Sequence, residues 1–377
     1  FGPTFYAFDG PVQISLDRVL WIGMLGILAI RWRMGLLSIQ RVNRVDWILI
    51  GLAAWLLVSS TRGGPVPTGS SPTARWLFYI AMPMGMYVAC RLTEIRHADL
   101  RWFRRTMVVL GGYLAATALC EVAGLHWLVY PSFIVDAESW EFYGRGRGPL
   151  MNPAGNGIVM SISLAAVILE FLDSGRRGKL IFGLLTVVIV GGIYATLTRS
   201  VWLGAVGVVI VIGIVHAPRW LRVFGLATMV VLCGAMTMGL KDQLVRLKRD
   251  KYVSAADAAK SIELRPLLAV VGWEMFKDRP IIGHGFGHYF EHCAPYHHVR
   301  SHGLPLEEAR TYAQHNVFLS ILVDTGLVGL GGLFSLLATL SGIGWKLARA
   351  RDGSPESRSL GMMLLAVLLV YVGNGMF

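Results

Sequence analysis

Apolar residues in this chain gather in long runs, separated by stretches dense in Arg and Lys. The runs lie near residues 14–30, 46–60, 76–91, 106–123, 157–173, 180–197, 201–216, 221–239, 316–345 and 359–376. They have roughly the length a helix needs to cross about 30 Å of hydrocarbon. Backbone groups in a bilayer find no water, so each run is expected to satisfy its own N–H and C=O groups as a helix. The pattern predicts an all-α polytopic membrane protein with about ten transmembrane helices. Residues 240–312 are too long and too polar for a turn and are expected as one large external loop holding short amphipathic helices. The organisation is a single integral membrane domain: eight helices over 1–239, the loop over 240–312, and two more helices over 313–377. There is no initiator Met, and the last apolar run meets the end of the chain, so both ends read as cuts in a longer protein.

Composition sharpens this picture. The chain is 54% hydrophobic and only 15% charged, which sets it apart from ordinary soluble domains. A net charge of +12 would suggest nucleic acid in a soluble chain. Here its distribution reports orientation instead, because Lys and Arg of short loops mark the cytoplasmic side. The loops 31–45, 91–105, 174–179, 346–358 and the turn after His216 carry 18 of the 35 basic residues and alternate strictly along the chain. The long loop lies on the other side, with eleven basic and nine acidic residues, and long loops translocate whatever their charge. The chain is therefore expected to lie in a membrane with the long loop outside, with membrane lipids as partners and no nucleic acid. The four Cys form neither a disulfide framework nor a CxxC metal site.

Candidate chemistry collects on the external side. A helix is expected from Glu263 to Lys277, with Pro266 in its first turn. Leu267, Leu268, Val271 and Met275 share one face, which suits a helix lying on the membrane surface. Arg265 would then stand at the helix start, where free N–H groups favour an anion. Arg279 follows. His284, His288 and His292 are spaced four apart, with His297, His298 and His302 beyond. That spacing on a helix could present a metal site, but Gly283, Gly285 and Gly287 argue against a helix there. GRGRGPLMNPAGN, from Gly144 to Asn156, combines Gly-rich backbone with Arg145, Arg147 and the Asn152-Pro153 turn, a composition suited to phosphate oxygens. TLTRSVW, from Thr196 to Trp202, is a tight hairpin that holds Arg199 at the outer interface. His315-Asn316 stands where the chain re-enters the membrane, and Asp324 lies eight residues further in. Asp324-Thr-Gly is read as a helix break in which the side chain caps Leu327 or a neighbour. Guanidiniums beside a potential base suit an anionic, diphosphate-linked lipid substrate: Arg forks neutralise the leaving group, and His removes a proton from a hydroxyl nucleophile.

The stretch from Arg265 to Gly332 resembles the O-antigen ligase and polymerase superfamily of bacterial envelope glycosyltransferases. The resemblance rests on Arg265, Trp273-Glu-Met-Phe276, Asp278-Arg-Pro280, Ile282-Gly-His-Gly285, His315-Asn316, Asp324-Thr-Gly326 and Gly329. Outside that block, Asn152-Pro153 and Thr198-Arg199-Ser200 also match. It implies a metal-independent transferase without cofactor, acting at the periplasmic face. The implied donor is an undecaprenyl-diphosphate-linked glycan. The implied acceptor is lipid A–core in a ligase, or a carrier-linked glycan in a polymerase. Carried over by motif, His315 is the base or acceptor-orienting residue, and Arg199 and Arg265 bind the diphosphate. Arg145, Arg147, Asn152, Arg279, His284 and Asn316 are the remaining substrate-binding candidates. A metal-handling or transport protein using the His-rich loop is the alternative from a different class.

Overall fold

The computed structural model describes residues 7–8, 14–38, 40–64, 71–136, 141–216, 255–314, 316–350 and 353–376. Within them the chain is helical. In order, the helices are α1 (Leu16–Arg33), α2 (Arg44–Arg62), α3 (Pro72–Trp76), α4 (Met82–Leu92), α5 (His97–Ala123) and α6 (Pro153–Asp173). They continue with α7 (Arg176–Ala195), α8 (Arg199–His216), α9 (Ala255–Asp278), α10 (Tyr289–His292), α11 (Val317–Arg349) and α12 (Pro355–Gly375). The only strand pairing among the described residues joins Ala7–Phe8 to Ile14–Ser15.

Seven of these helices are long and apolar enough to cross a membrane: α2, α5, α6, α7, α8, α11 and α12. The fold is thus the expected all-α polytopic membrane class. Two further apolar runs are helical but fall short of that measure. Helix α1 spends four of its 18 residues on charge, at Asp17, Arg18, Arg31 and Arg33. The run near 76–91 is divided by a π turn at Leu77–Ala81, where the Met82 N–H reaches back to Leu77 O. Pro83, just inside α4, has no N–H to give, which favours a local change of pitch. The run at 221–239 lies outside the described residues.

The chain divides into two compact units. The first comprises Phe1–Ile95, Ala255–Leu340 and Gly375–Phe377; the second comprises Arg96–Ser254 and Ser341–Asn374. The second unit is built around α6, whose Met160, Leu164, Ala165, Val167 and Leu169 are at most 1% exposed. Between apolar helices in lipid, close packing rather than water exclusion drives association, so small residues matter at the contacts. A Cβ on Gly192 of α7 would lie 2.6 Å from the Ala115 Cα of α5, so only glycine admits this approach. At the Asp173 end of α6, Arg104 bonds Glu170 at 2.6 Å, Asp173 at 2.8 Å and the Ser359 hydroxyl at 3.0 Å. Glu170 therefore has a structural partner.

In the first unit, α1 lies on α4, with the Trp21 indole donating to Met82 O at 3.2 Å. Helix α2 opens with a reciprocal cap: the Asn43 side chain accepts from Val45 and Asp46 N–H, and Asp46 accepts from Asn43 N–H. The external loop makes a core of its own. Leu264, Leu267, Leu268, Val271 and Met275 of α9 pack with Tyr289, Cys293, Leu306, Ala309 and Val323. The predicted shared face is therefore real, but it meets protein rather than headgroups. A second expectation also changes. Helix α9 starts at Ala255 instead of near Glu263, which leaves Pro266 inside it. The Ala-rich lead-in 255–259 is a strong helix former and carries the helix past the proline. Arg265 consequently sits in the helix interior with its side chain exposed, away from the free N–H groups of a helix start.

Candidate functional site

The Asp324-Thr-Gly326 triplet breaks α11, as its composition suggests. Gly326 has φ 67° and ψ −166°, far from helical. A break orphans carbonyls before it and N–H groups after it. Both sets find partners in residues 280–285. His284 N–H donates to Val323 O at 3.0 Å and Gly285 N–H to Asp324 O at 2.8 Å. In return, Leu327 N–H donates to Pro280 O at 2.9 Å and Val328 N–H to Ile281 O at 3.2 Å. The IGHG and DTG motifs are thus two halves of one joint. Its backbones touch: a Cβ on Gly283 would lie 2.4 Å from the Asp324 carbonyl carbon, and one on Gly326 would lie 2.2 Å from Ile281 O. The Asp324 side chain does not cap Leu327. Its Oδ2 accepts from Gly287 N–H at 3.0 Å, because Pro280 O has already taken the Leu327 N–H.

Helix α2 closes the joint from another side. Ser59 Oγ donates to Asp324 O at 3.4 Å and accepts from Phe286 N–H at 3.0 Å. His288 Nε2 donates to Ser60 O at 3.0 Å, and the Trp55 indole donates to Thr325 O at 3.2 Å. The sequence reading passed over Ser59 and Ser60. Their signal was a pair of hydroxyls at the end of an otherwise apolar run.

The loop histidines now have physical partners. His284 Nε2 donates to Met275 O at 2.8 Å, in the last turn of α9. His297 Nδ1 donates to Leu306 O at 2.9 Å, His302 bonds Glu274 at 2.8 Å, and His298 accepts from Arg310 at 2.6 Å. His292 differs. Its ring lies 5.7 Å from His284 and 6.3 Å from His288, centroid to centroid. Burial, then His284, Arg279 and His288, hold its pKa below the usual imidazole value. Its Nε2 is buried with no hydrogen-bond partner among the described residues, as are His288 Nδ1, Tyr289 OH and Asp324 Oδ1. No group of three or more His, Cys, Asp or Glu among the described residues is arranged to hold a metal ion.

Arg279 is exposed at the entry to the docked segment. Asn316 caps α11, its Oδ1 accepting from Leu319 N–H at 3.0 Å and its amide reaching Met376 O at 3.4 Å. His315, which precedes it, lies outside the described residues. In the first unit the structure therefore places His284 in the joint and Arg279 beside it, while Asn316 caps the start of α11.

The second unit holds the other candidates. Arg145 Nε donates to Thr196 O at 3.1 Å, and its Nη2 to Leu197 O at 3.2 Å and Thr198 Oγ1 at 2.7 Å. These bonds grip the turn ahead of Arg199, which is half-buried in the first turn of α8. Arg147 is 1% exposed. It donates to Ile134 O, Glu141 O and Asp136 O at 2.8–3.0 Å, and burial lowers its pKa against the pull of Glu121. Glu121 accepts from Arg147 N–H at 3.1 Å and Gly148 N–H at 2.9 Å. Asn152 caps α6 through Oδ1, and Pro153 occupies the position where no N–H is needed. So Arg145, Arg147 and Asn152 shape the loop and the hairpin in this structure. Glu121 escaped the sequence reading, although an ionisable residue inside an apolar run is a standing signal.

No curated protein matches the chain. The family model for O-Antigen ligase matches residues 184–334. That span runs from α7 through the external loop and includes both halves of the IGHG–DTG joint. Over this span the chain is similar to the O-antigen ligase family, and the match supports the O-antigen ligase and polymerase superfamily of glycosyltransferase-type membrane enzymes.

Proposed function

We propose that the protein is an O-antigen ligase-like glycosyltransferase acting at the periplasmic face of the bacterial inner membrane. It moves a glycan from an undecaprenyl-diphosphate carrier to an acceptor hydroxyl, on lipid A–core or a similar glycolipid. The observation that carries this reading is the family match over residues 184–334, which contains the jointed loop and the helix start after His315. In the proposed step the acceptor oxygen attacks the anomeric carbon and its proton passes to the His315 imidazole. The anomeric C–O bond to the diphosphate breaks, and the electron pair leaves with the diphosphate. Arg199 and Arg265 stabilise that leaving group, since guanidinium forks match phosphate oxygens. Arg279 assists from the exposed entry to the joint, while His284 and Asn316 act as positioning residues. Arg145, Arg147 and Asn152 hold the turn and loop that present Arg199. No metal is required in this scheme, so EDTA is expected to leave transfer unchanged.

Deletion in the native host, followed by envelope glycan analysis, tests the assignment. Loss of glycan attachment with carrier-linked polymer accumulating identifies a ligase. Accumulation of single carrier-linked repeats identifies a polymerase, which shares the donor chemistry. Unaltered envelope glycan would refute both. Complementation with His315→Ala should not restore transfer, although the protein still inserts.

A further inference from the structure

The second unit contains a cavity of about 440 Å³, walled on one side by the Arg147 that braces the loop, to whose interior no role has been given. Its size falls within the range of about 300–1,000 Å³ typical of small-molecule sites. Glu121, His126, Tyr143, Arg147, Tyr194 and Leu197 are among the residues that line it. Charge decides the class of ligand. The one guanidinium in the lining, that of Arg147, is taken up by the Ile134, Glu141 and Asp136 carbonyls rather than offered to a diphosphate. What remains is a set of hydroxyl-bonding groups between ring faces. Each Glu121 oxygen accepts one loop N–H, and a carboxylate oxygen can accept two, so both keep capacity for a ligand hydroxyl.

The aromatic groups fit the same ligand. Tyr194 stacks on Trp202 at 5.2 Å with an interplanar angle of 15°, and it remains 59% exposed. It therefore presents an open ring platform. Tyr143 stands edge-on to His126 at 6.3 Å, with the Arg147 guanidinium 5.3 Å from its ring centroid. The walls are preorganised by the three carbonyl bonds of Arg147 and the two N–H bonds of Glu121. Backbone strain gathers here as well. The non-glycine residues with positive φ among those described are Phe142 (57°), Met151 (52°) and Leu197 (50°). Leu197 lines the cavity and Phe142 precedes Tyr143, and such strain persists where the surrounding structure holds a functional shape.

We propose that this cavity is a saccharide subsite that takes one or two uncharged pyranose rings. The proposal rests on the glycosyltransferase reading and adds the place where the glycan is held. Glycan released by mild acid from the host's carrier-linked pool, and separately from its envelope acceptor, is titrated calorimetrically into the full chain in nanodiscs. The wild type should bind one of the two pools, which identifies the subsite as donor-side or acceptor-side. Tyr194→Ala and Tyr143→Ala should each weaken that binding by at least about tenfold, while Arg176→Ala, at the far end of α7, should leave it unchanged. Tyr194 is exposed, so its variant keeps the test informative should Tyr143→Ala fail to fold. Binding of neither pool at about 10 mM overturns the proposal, as does wild-type affinity in the Tyr194 variant. The host deletion reads separately: intact envelope glycan with tyrosine-dependent glycan binding removes the transferase reading and leaves the subsite standing.

Discussion

Gly326→Ala tests whether the IGHG–DTG joint holds the external loop. Two contributions set the expected effect. At φ 67° and ψ −166°, Gly326 occupies a region closed to side-chain-bearing residues, where occupancy costs about 2 kcal/mol. The new methyl would also lie 2.2 Å from Ile281 O, so backbone must move. Displacing that segment breaks at least the Leu327–Pro280 and Val328–Ile281 bonds, at about 1 kcal/mol each. The sum of about 4 kcal/mol corresponds to nearly a thousandfold increase in local opening. Hydrogen exchange by mass spectrometry in nanodiscs reads it directly. The Gly285, Leu327 and Val328 amides should lose at least about a hundredfold of protection. Gly331→Ala is the control: it lies in the same helix, with nothing within 4 Å of an added Cβ. If both variants exchange like the wild type, the joint does not hold the loop, and its four backbone bonds carry no local stability.

Arg147→Met should destabilise the second unit by about 3 kcal/mol, because the Ile134, Glu141 and Asp136 carbonyls lose their donor at about 1 kcal/mol each. A fall in Tm of roughly 6–12 °C in detergent is expected, and a shift under about 2 °C would contradict the bracing role. Arg199→Lys should lower transfer by about a hundredfold or more without loss of insertion, since a point charge replaces a fork; near-normal transfer would remove Arg199 from the leaving-group site. His292 supplies a pH prediction. Its pKa is depressed in the folded state, so its contribution to stability is full above the ordinary imidazole value of about 6.5 and disappears as pH falls through the lowered one. Protection in the 284–292 peptide, taken relative to the intrinsic exchange rate at each pH, should fall on acidification, and His292→Gln should flatten that fall. An unchanged acid profile in the variant would assign the sensitivity elsewhere.

Much of the fold was legible because membrane helices announce themselves through length and apolarity. Nine of the ten runs are helices, and the tenth lies outside the described residues. Boundaries were harder. The alanines before Glu263 carry no apolar periodicity, so only propensity marked the true start of α9, and the proline pointed the other way. The break at Gly326 could be read from Asp-Thr-Gly inside a long apolar run. Its partner could not, because Gly283 and Gly326 are far apart in the chain and backbone hydrogen bonds leave no side-chain signature. For the same reason Arg145 and Arg147 looked like phosphate ligands: a guanidinium that braces peptide carbonyls and one that awaits an anion have the same neighbours in sequence. The six loop histidines resisted assignment because three of them bond backbone oxygens and the others meet partners distant in the chain or none among the described residues.

The direct seam between residues 280–285 and α11 is held by four main-chain hydrogen bonds, with side chains of α2 closing it from outside. Such a seam asks for glycine at the points of closest approach and for a few fixed polar side chains around it, Asp324, Ser59, His288 and Trp55. Side chains elsewhere in the loop can therefore change size, charge or hydrogen-bonding character without unseating it. A scaffold of this kind separates anchorage from recognition: one backbone seam could serve enzymes that accept quite different sugars, with specificity rewritten in the exposed residues while the clamp stays fixed.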